Sequence, residues 1–471
     1  MLLILAISLY LLANLAVGAW AARRVSTAQD FVLAGRGLSL TLATSVTFAT
    51  WFGSESIMGA PAKFVDGGVL SIIEEPFGSA LCLFLVGAFF VRPLYNEGIT
   101  TFSDYFRVRY GRSAELMSAV IVIPSYFSWI AAQYIAIGIV LNVVLGVPMA
   151  WGIVASASIV MIYTLLGGMW SISITDFLHN LIIVLALVVL AVVLWPQVGG
   201  VSGVAARMPP NFFQFLPEMN VPGTHERGWA TYLAAWMTIG LGSIPQQDIF
   251  QRVMSAKSAR VAVRASYLAS GLYLTVAALP LFIALAARLL HPDLAGGDEQ
   301  SRQLIIPNMV MRHGSLPLQI LFFGALTSAI LSVSSGAILA PATVFGENIV
   351  KFFRPSLTDR QLLRTIRWAI VVISVICVGM TLQRTTSIFD LVGESSAFSL
   401  VSLFIPLAAG IYWKRATHRG CLWSITLGFG MWLLCLWPGG GPLGTSFPPM
   451  LWGLLASTAG MVVGSLIRPI N

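Results

Sequence analysis

The residues of this chain best equipped for chemistry lie where they are most expensive to keep. Glu55 falls in the run Trp51-Phe52-Gly53-Ser54-Glu55-Ser56, inside an otherwise apolar stretch at about 38–60. An ionisable group in a lipid-compatible stretch is by default a functional group. Three roles suit it: counter-charge for a cationic or amine-bearing ligand, carrier of a transported proton, or partner of a neighbour such as Lys63. A second polar run, Gly240-Leu241-Gly242-Ser243-Ile244-Pro245-Gln246-Gln247, interrupts the stretch at about 228–250. Trp51 and Trp129, with Tyr126 nearby, can build part of a cation–π box, although bulky aromatics in such helices also serve as packing or interfacial anchors. Ala329, Ser332 and Val333 stand at i, i+3 and i+4 and so share one helical face. Glu74 and Glu75 read as caps at a helix N-terminus, and Asp176, Asp248, Glu347 and Glu394 as helix-end residues where solvation is cheap.

These groups are positioned by an apolar framework. Of 471 residues, 57% are hydrophobic and 10% charged, against about 25% charged in soluble domains. Hydrophobic segments begin near residues 2, 38, 70, 115, 149, 177, 228, 262, 316, 365, 387, 418 and 447, most of them long enough for the roughly 20 residues a spanning helix needs. The first lacks a basic leader and reads as a retained helix rather than a signal peptide. Cys82, Cys377, Cys421 and Cys435 fall in or at the ends of segments as small packing residues, and the five histidines are scattered. No hydrolase, zinc or nucleotide-binding motif stands in a suitable context, so neither an enzyme nor an ATP-driven pump is expected. The prediction is an all-α membrane protein of 13 transmembrane helices, forming one transporter domain over 1–471.

Glycine and proline weaken a helix, and irregular backbone at membrane depth survives only in protein or beside a wet cavity. The polar runs in segments 2 and 7 therefore predict broken helices. Their offset of five segments predicts an inverted repeat, about 38–197 and about 228–412, with one extra N-terminal and two extra C-terminal helices. Seven of the 27 basic residues (Lys63, Arg207, Arg227, Arg288, Arg302, Arg312 and Arg384) lie on one side and the rest on the other. That bias predicts an outside N-terminus and a cytoplasmic C-terminus; the membrane is expected to be a bacterial inner membrane. The bias accounts for the net charge of +8 without any nucleic-acid partner. The segment 101–112, with aromatics among basic residues, reads as an interfacial helix on anionic lipid; 198–227 and 291–315 read as loops.

Ala49-Thr50-Trp51-Phe52-Gly53, Tyr163-Thr164-Leu165-Leu166-Gly167-Gly168-Met169-Trp170-Ser171, Gly242-Ser243-Ile244-Pro245, Phe250-Gln251-Arg252-Val253 and Ser328-Ala329-Ile330-Leu331-Ser332 together resemble the sodium:solute symporter family. The likeness runs nearly the whole chain and looks closest to the branch that includes choline transporters. It implies the LeuT-type fold of two inverted five-helix repeats. It also implies a sodium site from carbonyls matching Ala49, Phe52 and Ala329 and hydroxyls matching Ser332 and Val333. Valine supplies no hydroxyl, so that set is one oxygen short unless Thr327, Ser334, Ser335 or a water compensates. Trp51 and Trp129 match tryptophans typical of the choline branch, but Gln246 stands where the branch has a third.

The expected function is a solute:cation symporter working by alternating access, with sodium as the candidate coupling ion and a small polar solute that can bear an amine. Its expected contacts are Trp51, Gly53, Ser54, Glu55, Tyr126, Trp129, Gln133, Gln246 and Gln247, between segments 2, 4, 7 and 9. The alternatives are a proton-coupled or ion-independent transporter, or a transporter-like sensor, which the lack of an output domain after Asn471 disfavours. Substrate identity and oligomeric state are not legible in the sequence.

Overall fold

The computed structural model describes residues 27–217, 228–383, 386–437 and 447–467, with part of the stretch before 27. The described residues contain helices and one isolated bridge, Leu38 to Ala256, but no strand. Among the described residues eight helices, including Val69–Asn96, Ala259–Leu290 and Leu316–Phe353, are long and apolar enough to cross a membrane. On Gly168–Val198 the exposed Leu181, Leu185, Val188 and Val192 repeat at helical spacing. Such an apolar stripe on the outside of a bundle is stable only against lipid. The chain is an integral, multi-pass membrane protein.

Both predicted breaks are present. The first helix, Leu40–Phe48, starts on Ser39, whose side chain accepts from the Leu42 N–H, and ends at Ala49. The Gly53 N–H reaches back only two residues, to the Trp51 carbonyl at 2.8 Å. Helix resumes as a wide turn, Glu55–Gly59, and continues as Ala60–Gly67. The second break separates Trp229–Gly242 from Gln247–Met254, with Gln246 extended at φ −89° and ψ 140°. Pro245 has no N–H to give a continuing helix. A Cβ on Gly242 would lie 2.3 Å from the Ser396 carbonyl oxygen, so only glycine permits this approach.

The broken helices meet directly. The Arg252 Nη1 donates to the Val46 carbonyl at 2.7 Å, and Leu38 exchanges backbone hydrogen bonds with Ser255 and Lys257, each at 3.0 Å. These contacts define the Arg252 side of the bundle. On the opposite, Lys63 side, Lys63 pairs with Asp390 at 2.6 Å and with Glu299 at 3.7 Å.

Three expectations are corrected. The sixth segment starts not near 177 but at Gly168, where a positive φ of 53° kinks the helical run Met149–Val198. Residues 291–315 are not simply a loop: they fold into Pro292–Ala295, Glu299–Arg302 and Ile305–His313, the last burying Ile305, Ile306 and Met309. The helix Phe102–Tyr110 forms behind a Thr101–Asp104 capping box, but its arginines are spent on protein. Arg109 donates to the Gly410 and Ala416 carbonyls at 2.9 and 3.0 Å, and Arg107 pairs with Asp104 and Glu115.

Candidate functional site

Ser54 and Glu55 open the turn that follows the first break. Trp129 and Gln133 lie four residues apart on Phe127–Leu145 and therefore project from one face. That face meets Glu55. Its Oε1 accepts from the Trp129 indole N–H and from Gln133 Nε2 at 2.8 Å. Its Oε2 lies 3.0 Å from the Ser54 hydroxyl, which is also 2.9 Å from Gln133 Oε1. All four side chains are at most 2% exposed. Among the described residues no lysine, arginine or histidine pairs with Glu55. Lys63, one expected partner, is engaged by Asp390 and Glu299 instead.

The other expected contacts divide. Trp51 is buried beside the break, edge-on to Tyr273 with centroids 6.5 Å apart. Gly53 faces the side of Val333, whose Cγ2 would be 3.5 Å from an added Cβ. Tyr126 lies beside Trp129, at 5.9 Å between ring centroids. Its hydroxyl is occupied, donating to Asp248 Oδ1 at 2.6 Å and accepting from the Asp248 N–H at 2.9 Å. Gln246 Nε2 points to Ser395 Oγ at 3.4 Å, next to a Ser243–Ser396 hydroxyl pair at 2.9 Å. Gln247 turns away: its Oε1 accepts from the Phe102 N–H at 2.6 Å.

Ala49 and Phe52 border the break, and Ala329, Ser332 and Val333 lie on Leu316–Val344. The buried Ser332 hydroxyl faces Tyr163 and Asp176, and among the described residues the Ser335 hydroxyl is buried without a hydrogen-bond partner, whereas Thr327 and Ser334 donate to their own helix at Phe323 and Ile330. Two of the groups able to compensate for Val333 are thus already used. Val333 presents a methyl group to the turn.

Several acidic residues depart from their expected settings. Asp176 and Asp248 are 1% exposed rather than solvated, the former paired with the equally buried Arg252 at 3.4 Å. Glu75 is no exposed cap. It is 2% exposed and accepts from Ser56 at 2.6 Å, from Ser79 and from Tyr273. Glu75, Ser79, Tyr273, Ser395 and Ser396 all contact the breaks or their neighbours without standing out as site residues in the sequence. The available signals were a Glu-Pro pair and a serine doublet inside apolar stretches.

Polar groups gathered at two helix breaks inside a lipid-facing bundle define a membrane transporter, not an enzyme. The chain belongs to the sodium:solute symporter family, which it matches over residues 31–428. It is 29% identical to the human high affinity choline transporter 1 over 89% of this chain and 74% of that protein. It is 26% identical to the osmoregulated proline transporter OpuE of Bacillus subtilis, covering 90% of this chain and 87% of the relative. In fold it resembles a Na+-coupled sialic acid symporter in a substrate-bound, outward-open state. That likeness has a TM-score of 0.82 at 19% identity and covers 100% of this chain and 98% of the other.

Proposed function

We propose that this chain is a secondary active transporter that moves a small, polar, amine-bearing solute by alternating access. Glu55 supplies the counter-charge. The observation that carries this reading is a buried carboxylate, within a helix break, whose hydrogen-bond donors are all neutral. An unpaired buried charge is costly, and an ammonium group on the solute would compensate it. Choline and proline, the solutes in the relatives' names, both carry a cationic nitrogen. In this reading the solute also meets Trp51, Gly53, Ser54, Trp129, Gln133 and Gln246, while Tyr126 and Gln247 act one layer out.

The reading includes thirteen spans, repeats at about 38–197 and 228–412, and an outside N-terminus in a bacterial inner membrane. The Lys63 side is then external. Sodium, if bound, would use Ala49, Phe52, Ala329 and Ser332, and the Val333 methyl makes that coupling weak.

A thermal-shift screen of amino acids, amines and quaternary ammonium compounds on purified protein identifies the solute, since a ligand specific for the folded state raises its stability. Glu55→Gln is then expected to fold normally and bind that solute at least tenfold more weakly, about 1.4 kcal/mol. Unchanged affinity in the folded variant would remove Glu55 from the site.

A further inference from the structure

The break has a second buried carboxylate on its other flank, and its surroundings contain one hydrogen too few. Ser56 Oγ, Tyr273 Oη and Glu75 Oε1 form a triangle of oxygens. The Ser56–Glu75 edge is 2.6 Å, the Ser56–Tyr273 edge 2.5 Å, and Tyr273 is hydrogen-bonded to Glu75. Three oxygen–oxygen contacts need three hydrogens, but the two hydroxyls supply only two. Ser56 is also 3.3 Å from the Trp51 carbonyl, a further claim on its single hydrogen. Ser79 brings its own hydrogen to Oε2. No lysine, arginine or histidine pairs with Glu75 among the described residues.

We propose that Glu75, with Ser56, Tyr273 and Ser79, is a proton-binding site, and that its proton is an ion coupled to opening of the break. A proton on Glu75 closes the triangle: the carboxyl O–H donates to one hydroxyl, which donates to the next, which returns to the carboxyl. Loss of that proton to water leaves a carboxylate that accepts from Ser56 and Tyr273 together, so these two oxygens then face each other with no hydrogen between them. Their repulsion loosens the tie between the turn Glu55–Gly59 and the helix Ala259–Leu290, which joins the first repeat to the second. The same turn carries Glu55, so proton occupancy and solute occupancy act on one element. The other titratable groups nearby are Glu55 and Tyr273 itself. Glu74 turns instead to a cavity of about 380 Å³ on the Lys63 side, lined also by Lys63 and Asp390.

The proposal rests on the transporter reading, but its first test does not. Infrared spectra of the reconstituted full-length protein at neutral pH, compared between H2O and D2O, report the carbonyl stretch of protonated carboxylic acids. Ser54 poses a similar hydrogen count beside Glu55, so Glu55→Gln is recorded alongside. A band lost in Glu75→Gln, kept in Glu55→Gln and shifted but retained in Tyr273→Phe is expected. No band assignable to Glu75 in a folded Glu75→Gln sample, with Tyr273→Phe also identical to wild type, would overturn the site. In a background lacking the four native cysteines, an inward proton gradient without sodium should change the thiol reactivity of Ser243→Cys at least threefold, and Glu75→Gln should abolish that change. A Glu75 band with no such response would overturn the coupling while leaving solute transport intact; failure of solute binding in the Glu55 assay would leave the proton site standing.

Discussion

At the residue scale, the account turns on which buried charges have partners. Arg252 and Asp176 compensate each other between the second broken helix and Gly168–Val198. Removing one member leaves an uncompensated buried charge, at a cost of about 3–5 kcal/mol. Arg252→Met should therefore lower the melting temperature markedly, and adding Asp176→Asn should recover much of the loss. Additive single effects in that cycle would contradict the pairing. Val333 offers a gain-of-function test. If its methyl blocks an oxygen ligand, uptake should depend weakly on sodium in wild type and more strongly in Val333→Ser. Wild-type uptake abolished by replacing sodium with potassium, and unaffected by a proton gradient, would refute this. Glu55 was legible as functional because a charge in an apolar run costs too much to be kept without a role. Glu75 was not, because Glu-Pro at a segment start has the same appearance whether it caps a helix in water or turns inward, and only the fold brings Tyr273 to it from 198 residues away.

At the scale of elements, periodicity exposed the helices and the Gly, Ser and Pro runs exposed their breaks. Both breaks follow from local chemistry: Gly53 tolerates an irregular turn, and Pro245 cannot complete the helical ladder. What remained hidden were close approaches, which depend on partners distant in sequence. Gly242 is one. Gly242→Ala should clash with the Ser396 carbonyl and force the second broken helix away from Ile388–Ser399. The expected outcome is a loss of thermal stability together with weaker solute binding; wild-type values for both would show that the two elements are not packed so tightly in the membrane. The Gly168 kink was hidden for a related reason, since one glycine of a Gly-Gly pair in an apolar run gives no sign of adopting positive φ. The interfacial reading of residues 101–112 placed the helix correctly. Composition could not reveal that Arg109 donates to the Gly410 and Ala416 carbonyls at the end of Ile405–Tyr412, or that Arg107 pairs with Asp104 and Glu115.

For the whole molecule, transport requires both breaks to border one pathway that opens to either face in turn. The observed arrangement is closed around Glu55, with the Arg252–Val46 contact on one side and the Lys63 pairs on the other. In the proposed mechanism each of these contacts joins elements that part for access. The most direct measurement places single cysteines at Ser54 and at Ser243 in a cysteine-free background and follows their modification by membrane-impermeant reagents added from each face. Opening of the Lys63 side should make both positions reactive from that face and protected from the other, and saturating solute should change both rates together. Rates that ignore the solute, or two positions that respond on opposite faces at the same time, would contradict a shared alternating-access site.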